Sequence, residues 1–293
     1  MQLRLIILFF VLLTLATPAM AKSIRIVINP LAAAESPKIL ATAYLKKLIE
    51  ERSTNRIEVT IENSSHLNTQ QVLDSLNVQK FHLALLEVDD IATVFPMLEV
   101  YDLPFLFKDR QHFHRILDNE VGEAISQTPS DQNMKILSIW DGTMRQLLTQ
   151  RTTSTSTLDS GSFFTKSQPG SSDDGKNWVE FDLTNVSELS NQNGLGTLVL
   201  TNHSISASAL LTHRSFWNQL PEDLRVIITG AIKDASAYIR ELAEQADKEA
   251  LLQLKNIEHT KTVPFSKEQR TFWQKKALET IRKNKGQDKL SII

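Results

Sequence analysis

The sequence predicts a mixed α/β fold, and three features support that expectation. Short stretches rich in β-branched residues alternate with longer stretches in which apolar residues recur every three or four positions. The order strand, helix, strand, helix, strand is typical of a parallel sheet with helices on its faces. The chain has 293 residues, 41% of them hydrophobic, which is enough for one large or two medium domains with an ordinary core.

The first half of the chain supplies three predicted strands and two predicted helices. Residues 23–29 (SIRIVIN) and 56–61 (RIEVTI) alternate polar and apolar side chains, and residues 81–86 (FHLALL) form a short apolar run. Residues 37–51 and 70–76 carry apolar side chains at helical spacing. These elements predict that the first half is a parallel α/β unit.

The middle of the chain is less regular. Residues 109–126 predict a helix and residues 135–140 (KILSIW) a strand. Residues 151–175 are rich in Ser, Thr and Gly, a composition that cannot bury enough apolar surface to offset the entropy of ordering, so we expect an exposed, mobile loop. Residues 197–201 and 207–212 predict two further short strands.

The C-terminal part is predicted to be mainly helical. Residues 221–255 keep one apolar face throughout, and at 1.5 Å per residue such a helix is about 50 Å long. A helix of that length exceeds the width of a small domain, so we expect it to brace two lobes. Residues 266–283 predict a final helix with Trp273 on its buried side.

The N-terminus resembles an export signal. Arg4 supplies the positive charge of an n-region, and residues 5–16 form an apolar run of about 12 residues. The tripeptide Ala19-Met20-Ala21 is typical of a cleavage site. We therefore expect residues 1–21 to be a signal peptide that is cleaved after Ala21. The mature protein is expected in the periplasm.

Several function classes are disfavoured by composition and motifs. The net charge of −2 gives no basic field for nucleic acid, and the absence of cysteine removes disulfides, thiolate nucleophiles and Cys-based zinc sites. No nucleophile elbow, zinc-protease motif or phosphate-binding loop occurs. His112 and His114 are two residues apart on a predicted helix, so they diverge and cannot readily share a metal. We expect no enzyme activity, no cofactor and no metal.

Five segments in a preserved order resemble one family of transport proteins. Residues 101–107 read YDLPFLF. The other four segments are YLKKLIEERSTNRIEV at 44–59, HRILDNEVGEAI at 114–125, ILSIWDGTMRQLLT at 136–149, and FWNQLPEDLRVIITGAIKDASAYIRELAEQADKEAL at 216–251. Together they resemble the DctP-like solute-binding subunits of tripartite ATP-independent periplasmic (TRAP) transporters.

The resemblance implies a periplasmic-binding-protein-like fold with two α/β lobes, a long helix across both, and a second lobe that is reduced in this chain. The domain boundaries expected from it are 22–145 for the first lobe, 146–200 for the reduced second lobe, and 201–293 for the return crossing and the C-terminal helices. The implied function is to capture a small organic acid and deliver it to TRAP membrane permease subunits. Because the second lobe is expected to be reduced, a noncatalytic periplasmic adaptor or sensor remains the alternative.

Five residues are candidates for ligand binding. By the resemblance, Arg145 in DGTMRQ points into the cleft, where a guanidinium suits a carboxylate, although a neighbouring acid could instead satisfy it. Glu87 ends its strand at a position that faces the ligand in some family members, although a charge at the end of a strand is commonly a surface charge, and Asn185 matches a family asparagine. Lys166 stands near the place of the family's main carboxylate-binding arginine. His66, in a predicted loop, could reach the cleft, although a loop histidine is commonly exposed.

Overall fold

Two long antiparallel strands form the centre of the sheet in the computed structural model. The strands are β4 (Met134–Thr149) and β6 (Thr197–His213), and they pair along almost their whole length. The structure describes residues 23–32, 36–119, 122, 133–149, 179–183, 197–257 and 261–285. No helix in this described part of the chain combines the length and apolarity that crossing a membrane requires.

The first lobe adds three strands to one end of the β4–β6 pair. These are β1 (Ile24–Pro30), β2 (Ile57–Ile61) and β3 (Leu83–Glu87). Strand β1 lies parallel to both β2 and β3, and β3 lies antiparallel to the C-terminal part of β6. The parallel α/β unit predicted from the first half of the sequence is therefore present.

Short helices follow these strands. They are α1 (Pro37–Arg52), α2 (Thr69–Asn77), α3 (Val88–Ile91), a 3₁₀-helix (Pro96–Asp102), α4 (Arg110–Leu117) and, after β6, α5 (Arg214–Gln219). Side chains of β3 alternate between two apolar clusters, one on each face of the sheet. Because both faces are covered, the strand is a continuous apolar run rather than an alternating one.

The second lobe is built on the other ends of the same two long strands. Strand β5 (Val179–Asp182) pairs antiparallel with β4, and β7 (Lys261–Pro264) pairs parallel with β6. The resulting strand order is β2-β1-β3-β6-β4-β5, with β7 beside β6. Between the lobes, the pairing of β4 with β6 shifts register at Asp141/Met144 and again at Arg145/Leu147.

Helix α6 (Glu222–Leu254) contacts both lobes, as we expected from its predicted length. Its N-terminal two thirds pack on the first-lobe core with α1, and Ala250 and Leu254 near its end belong to a second-lobe cluster with Phe181. Helix α7 (Lys267–Lys285) follows β7, and its Trp273 is buried. The expectation of a helix that braces two lobes is confirmed.

The structure corrects the predicted strands of the middle region. Residues 135–140 are only the start of β4, which continues to Thr149, and residues 197–201 and 207–212 belong to one strand. Pairing between the two long strands overrides the weak local β-propensity of the intervening Asp141-Gly142-Thr143 and Asn202-His203. The predicted helix at 109–126 is described as helix over Arg110–Leu117, and the signal peptide and the 151–175 loop lie outside the described residues.

The YDLPFLF segment and the residue after it, Lys108, anchor the C-terminal helix α7 beside strand β6. Phe105 adopts a left-handed backbone (φ 60°), is fully buried, and donates its N–H to the carbonyl of His203 at 2.5 Å. Arg270 of α7 lies over the Phe105 ring, 5.2 Å from its centroid. The Arg270 guanidinium also donates to four backbone carbonyls, those of Phe107 (2.7 Å), Lys108 (3.1 Å), Thr201 (3.3 Å) and Asn202 (3.1 Å).

We predict that Arg270→Ala lowers the free energy of unfolding by about 2–3 kcal/mol, because it removes charged donors from several partly buried carbonyls. Urea unfolding followed by circular dichroism measures the change. Lys275→Ala on the exposed side of the same helix is the control and is expected to alter stability by less than about 0.5 kcal/mol. Equal losses in the two variants would contradict the anchoring role.

We predict a pH-dependent contribution to stability from His82. Burial holds its pKa below the ordinary value of 6.5, and its Nδ1 accepts the backbone N–H of Val27 at 3.0 Å, so the native ring is neutral. The unfolded chain therefore binds a proton more readily, and stability falls as pH drops below about 6.5. His82→Asn, which keeps a possible acceptor but cannot be protonated, should lose less stability between pH 7.5 and pH 5. If the free energy of unfolding falls by the same amount in both proteins between pH 7.5 and pH 5, this role of His82 is contradicted.

Candidate functional site

A cavity of about 320 Å³ lies where the long strands pass from one lobe to the other. Its wall includes six polar or charged residues: Ser36, Lys38, Glu87, Thr143, Asp182 and Ser206. Ser36, Lys38 and Glu87 come from the first lobe, Asp182 from the second, and the remaining two from the crossing strands. A concave site with convergent polar groups from two lobes is the arrangement expected of a small-molecule binding cleft.

The first-lobe wall carries an ion pair. Lys38, in the first turn of α1, binds Glu87 at the end of β3 through Nζ and Oε1. The second carboxylate oxygen of Glu87 accepts the hydroxyl of Ser208 at 3.3 Å. Glu87 retains a third of its side-chain surface exposed, so it is accessible to a ligand while it holds Lys38 in place.

The start of α1 contributes a second polar feature. Ser36 precedes the helix, with Pro37 as the first helical residue, and the first turn contains no acidic side chain. The Ser36 Oγ atom is buried and has no hydrogen-bond partner among the described residues. A buried hydroxyl without a partner is costly, and the N–H groups of a first helical turn lack intrahelical acceptors.

The wall formed by the crossing strands depends on the irregular pairing at Asp141/Met144. There, the backbone N–H of Thr143 donates to Ser206 Oγ at 3.1 Å instead of to a ladder carbonyl. The Thr143 hydroxyl donates to Asp182 Oδ1 of β5. The bulge thus turns Thr143 toward the cleft and connects it to a carboxylate of the second lobe.

Arg145, expected to bind the ligand, is engaged with protein carboxylates. Its guanidinium is 2.8 Å from Asp89 Oδ2 in α3 and 3.7 Å from Glu180 Oε2 in β5. Arg145 is not among the described residues that line the cavity. Since only 13% of its side chain is exposed, an unpaired charge there would be unfavourable, and acids from both lobes supply its counterions. These contacts correspond to the alternative stated for Arg145 in the sequence analysis, in which a neighbouring acid pairs with its guanidinium.

A buried charge cluster lies behind the crossing point. Arg110 of α4 donates to Asp141, to Asp247 of α6 at 2.5 Å, and to the Gly142 carbonyl at 2.7 Å. Asp247 in turn accepts the backbone N–H of Met144 at 3.1 Å. Burial raises the pKa of Asp247, and Arg110 opposes that rise. The cluster ties α4, α6 and the β4 bulge into one support for the cleft.

The other sequence candidates have different outcomes. Glu87 lies on the cavity wall, whereas His66 is exposed and does not belong to the described lining. Asn185 and Lys166 lie outside the described residues. His114 is paired with Asp141 at 2.9 Å, and no group of three or more acidic, histidine or cysteine side chains among the described residues is arranged to hold a metal ion.

Four wall residues were not identified from the sequence: Ser36, Lys38, Thr143 and Asp182. Ser36 and Lys38 flank the predicted start of α1, directly after a strand, and strand-to-helix connections at the carboxyl edge of a sheet commonly form binding sites. That signal could have identified them. Asp182 follows a long polar stretch, and its position depends on a strand pairing that local pattern does not reveal.

The two lobes, the crossing strands and the polar cleft between them define a solute-binding protein. The family model described as bacterial extracellular solute-binding protein, family 7, or DctP, matches residues 28–158 and 182–287. The chain belongs to this family, as the resemblance of the five segments predicted. The family is one of binding proteins, not enzymes, and Lys166 falls between the two matched ranges.

Curated relatives are similar over most of the chain. The C4-dicarboxylate-binding periplasmic protein DctP of Rhodobacter capsulatus is 21% identical over 297 residues, covering 89% of this chain and 86% of the relative. The protein of the same name from Shewanella loihica is 23% identical over 274 residues, covering 82% and 79%.

Solved structures show the same fold. A TRAP periplasmic solute-binding protein from Ochrobactrum anthropi, with its C-terminus bound in the ligand-binding pocket, superposes with a TM-score of 0.80 at 17% identity, covering 92% of this chain and 93% of that one. One from Sulfurospirillum deleyianum, with bound succinate, gives 0.74 at 22% identity, covering 93% and 98%. One from Pseudomonas aeruginosa, with bound L-malate, gives 0.76 at 19% identity, covering 89% and 99%. The predicted two-lobed α/β fold is confirmed.

We predict that Gly142→Ala destabilises the protein by about 1–3 kcal/mol, the usual cost of overpacking. A methyl group at this position would overlap Ser206 Oγ and lie 3.0 Å from the Ser206 carbonyl oxygen. Combining it with Ser206→Ala should cost less than the sum of the single changes, since the overlapping hydroxyl is gone.

Gly230→Ala is the matched control for this prediction. A methyl group there meets only Arg52 Nη1, at an ordinary 3.6 Å, within helix α6. It should therefore raise stability, by up to about 1 kcal/mol. Urea unfolding of the four variants provides the comparison, and strict additivity of Gly142→Ala and Ser206→Ala would show that the two strands do not press together at the cleft.

Proposed function

We propose that this protein is the extracytoplasmic receptor of a TRAP-type transporter. It captures a small organic acid in the cleft between its lobes and delivers the acid to a membrane permease. The observation that carries this proposal is the cavity itself, which opens at the lobe crossing and is lined by polar groups from both lobes. Closure of two lobes over such a site excludes water and strengthens the ligand's hydrogen bonds.

The relatives support an acid as ligand. Curated relatives are named as C4-dicarboxylate-binding proteins, and similar structures contain succinate, L-malate, galactonate and D-glucuronate. In this chain, Lys38 and the start of α1 offer positive charge and donors to a carboxylate. The periplasmic location and cleavage of residues 1–21 form part of the same proposal, because the receptor must reach its solute outside the cytoplasm.

The adaptor or sensor alternative is less favoured. It rested on loss of the cleft through a reduced second lobe, and most of that range lies outside the described residues. The family model nevertheless resumes at residue 182, and Asp182 on β5 contributes to the cavity wall. A wall built from both lobes supports ligand capture.

We predict that a panel of small acids contains at least one compound that binds the purified protein. The panel consists of succinate, L-malate, galactonate, D-glucuronate and the twenty amino acids, tested by thermal shift and then by calorimetry. Ligand at 100 times its Kd stabilises the native state by about 2.7 kcal/mol, which a thermal shift detects. A folded protein that binds none of these acids would contradict the proposed function.

A lysine pair tests whether binding occurs in this cavity. Lys38→Gln should weaken binding of the identified acid by at least about tenfold, because a cationic group at the site is lost. Lys248→Gln is the control, since Lys248 is also paired with a glutamate, Glu244, but on the exposed side of α6. Equal affinity in the two variants would place the binding site elsewhere.

A further inference from the structure

The YDLPFLF segment, residues 101–107, packs on both lobes. Tyr101 and Phe107 are buried in the first-lobe cluster, with their ring centroids 5.8 Å apart. Phe105 lies between them in the chain but belongs to a different apolar cluster, whose other buried members are Leu147, Val199 and Trp273. The first two of these lie on the second-lobe ends of β4 and β6, and the third lies on α7. One short segment therefore connects the cores of the two lobes.

Contacts of both its backbone and its ring hold Phe105 on the second lobe. The left-handed backbone (φ 60°) is uncommon for a bulky residue, and such a conformation persists only where the surrounding structure fixes it. The next two residues, Leu106 and Phe107, already pack on the first lobe again. The Phe105 carbonyl accepts a hydrogen bond from Nε2 of Gln274 in α7 at 3.1 Å, and its ring stacks on Phe265 with centroids 6.0 Å apart.

Phe105 also contacts β6 where the pairing of the two long strands is interrupted. Residues 200–203 of β6 lie opposite the single residue Gln146 of β4. Within this irregular stretch, the His203 carbonyl accepts the backbone N–H of Phe105 at 2.5 Å. Bulges bend strands and disrupt the ladder locally. The segment is thus bound to β6 at the place where that strand passes from the second lobe to the first.

The segment and helix α6 pack on opposite faces of the second-lobe sheet. Leu148 and Leu198 face the C-terminal end of α6. Because successive side chains of a strand point to opposite faces, their neighbours Leu147 and Val199 face Phe105 instead. Both α6 and the segment also pack on the first lobe. The second-lobe sheet is therefore tied to the first lobe from both of its faces, which opposes rotation in either direction.

We propose that residues 101–107 form an interlobe strap that restrains the angle between the lobes in the ligand-free protein. Phe105 attaches the strap to the second lobe, and Tyr101 and Phe107 attach it to the first. Release of Phe105 allows the second lobe a wider range of positions. This inference concerns the protein without ligand and does not depend on which acid binds. In a receptor that closes on its solute, such a restraint lowers the conformational entropy lost on closure.

Distance measurements without ligand test the interlobe strap. Spin labels attached through Lys47→Cys in α1 and Lys261→Cys in β7, both exposed positions, report the distance between the lobes by pulsed electron paramagnetic resonance. Phe105→Leu keeps an apolar side chain but removes the ring that contacts Phe265 and Arg270. We expect this variant to give a broader distribution of distances than the unsubstituted protein.

Phe81→Leu is the matched control. Phe81 is also fully buried, but it lies in the first-lobe cluster between α2 and β3. Both substitutions should lower the thermal stability, because each removes buried apolar volume, and only Phe105→Leu should broaden the distance distribution. An unchanged width in folded Phe105→Leu protein, or equal broadening in the two variants, overturns the strap and leaves the proposed function intact.

A milder variant decides the question if Phe105→Leu does not fold. Gln274→Met removes the hydrogen bond to the Phe105 carbonyl and leaves the Phe105 ring in place. We expect a smaller broadening of the distance distribution in this variant, since one of the contacts that fix the strap to α7 is lost. A width equal to that of the unsubstituted protein would overturn the inference.

Discussion

The antiparallel pairing of β4 with β6 is the constraint on which the rest of the structure depends. Each strand runs through both lobes, so the hydrogen bonds that hold the first lobe together continue into the second. The register shifts between Asp141 and Leu147 interrupt this ladder at the crossing point. Bulges bend strands and re-aim side chains, and here they contribute Thr143 to the polar wall of the cleft.

The charged groups around the crossing point are arranged in pairs contributed by different elements. Arg110 joins α4 to β4 and α6, and Arg145 joins β4 to α3 and β5. Low exposure makes each of these charges dependent on its partners. Such pairs position the backbone of the cleft.

The sequence predicted the elements with strong local signals. The period of apolar residues located α1, α6 and the first three strands, because these elements bury whole faces against the core. It failed at β4, where Asp141-Gly142-Thr143 resembles a turn and only pairing with β6 makes it a strand. The sequence also did not indicate that Asp89 and Glu180 pair with Arg145, since the two acids are distant from it along the chain. Glu87, which the family resemblance singled out, lies on the cavity wall, whereas Lys38 resembles any exposed helical lysine in the sequence.

We propose that the lobes close on a bound acid about the β4–β6 crossing. The chain has no cysteine, so spin labels can be placed specifically by Val78→Cys in the first lobe and Lys261→Cys in the second, both exposed positions. Pulsed electron paramagnetic resonance measures the distance between the labels with and without a saturating concentration of the acid that binds in calorimetry. We expect binding to shift the distances between the labels to a different and narrower distribution. An unchanged distance distribution at saturation would contradict it.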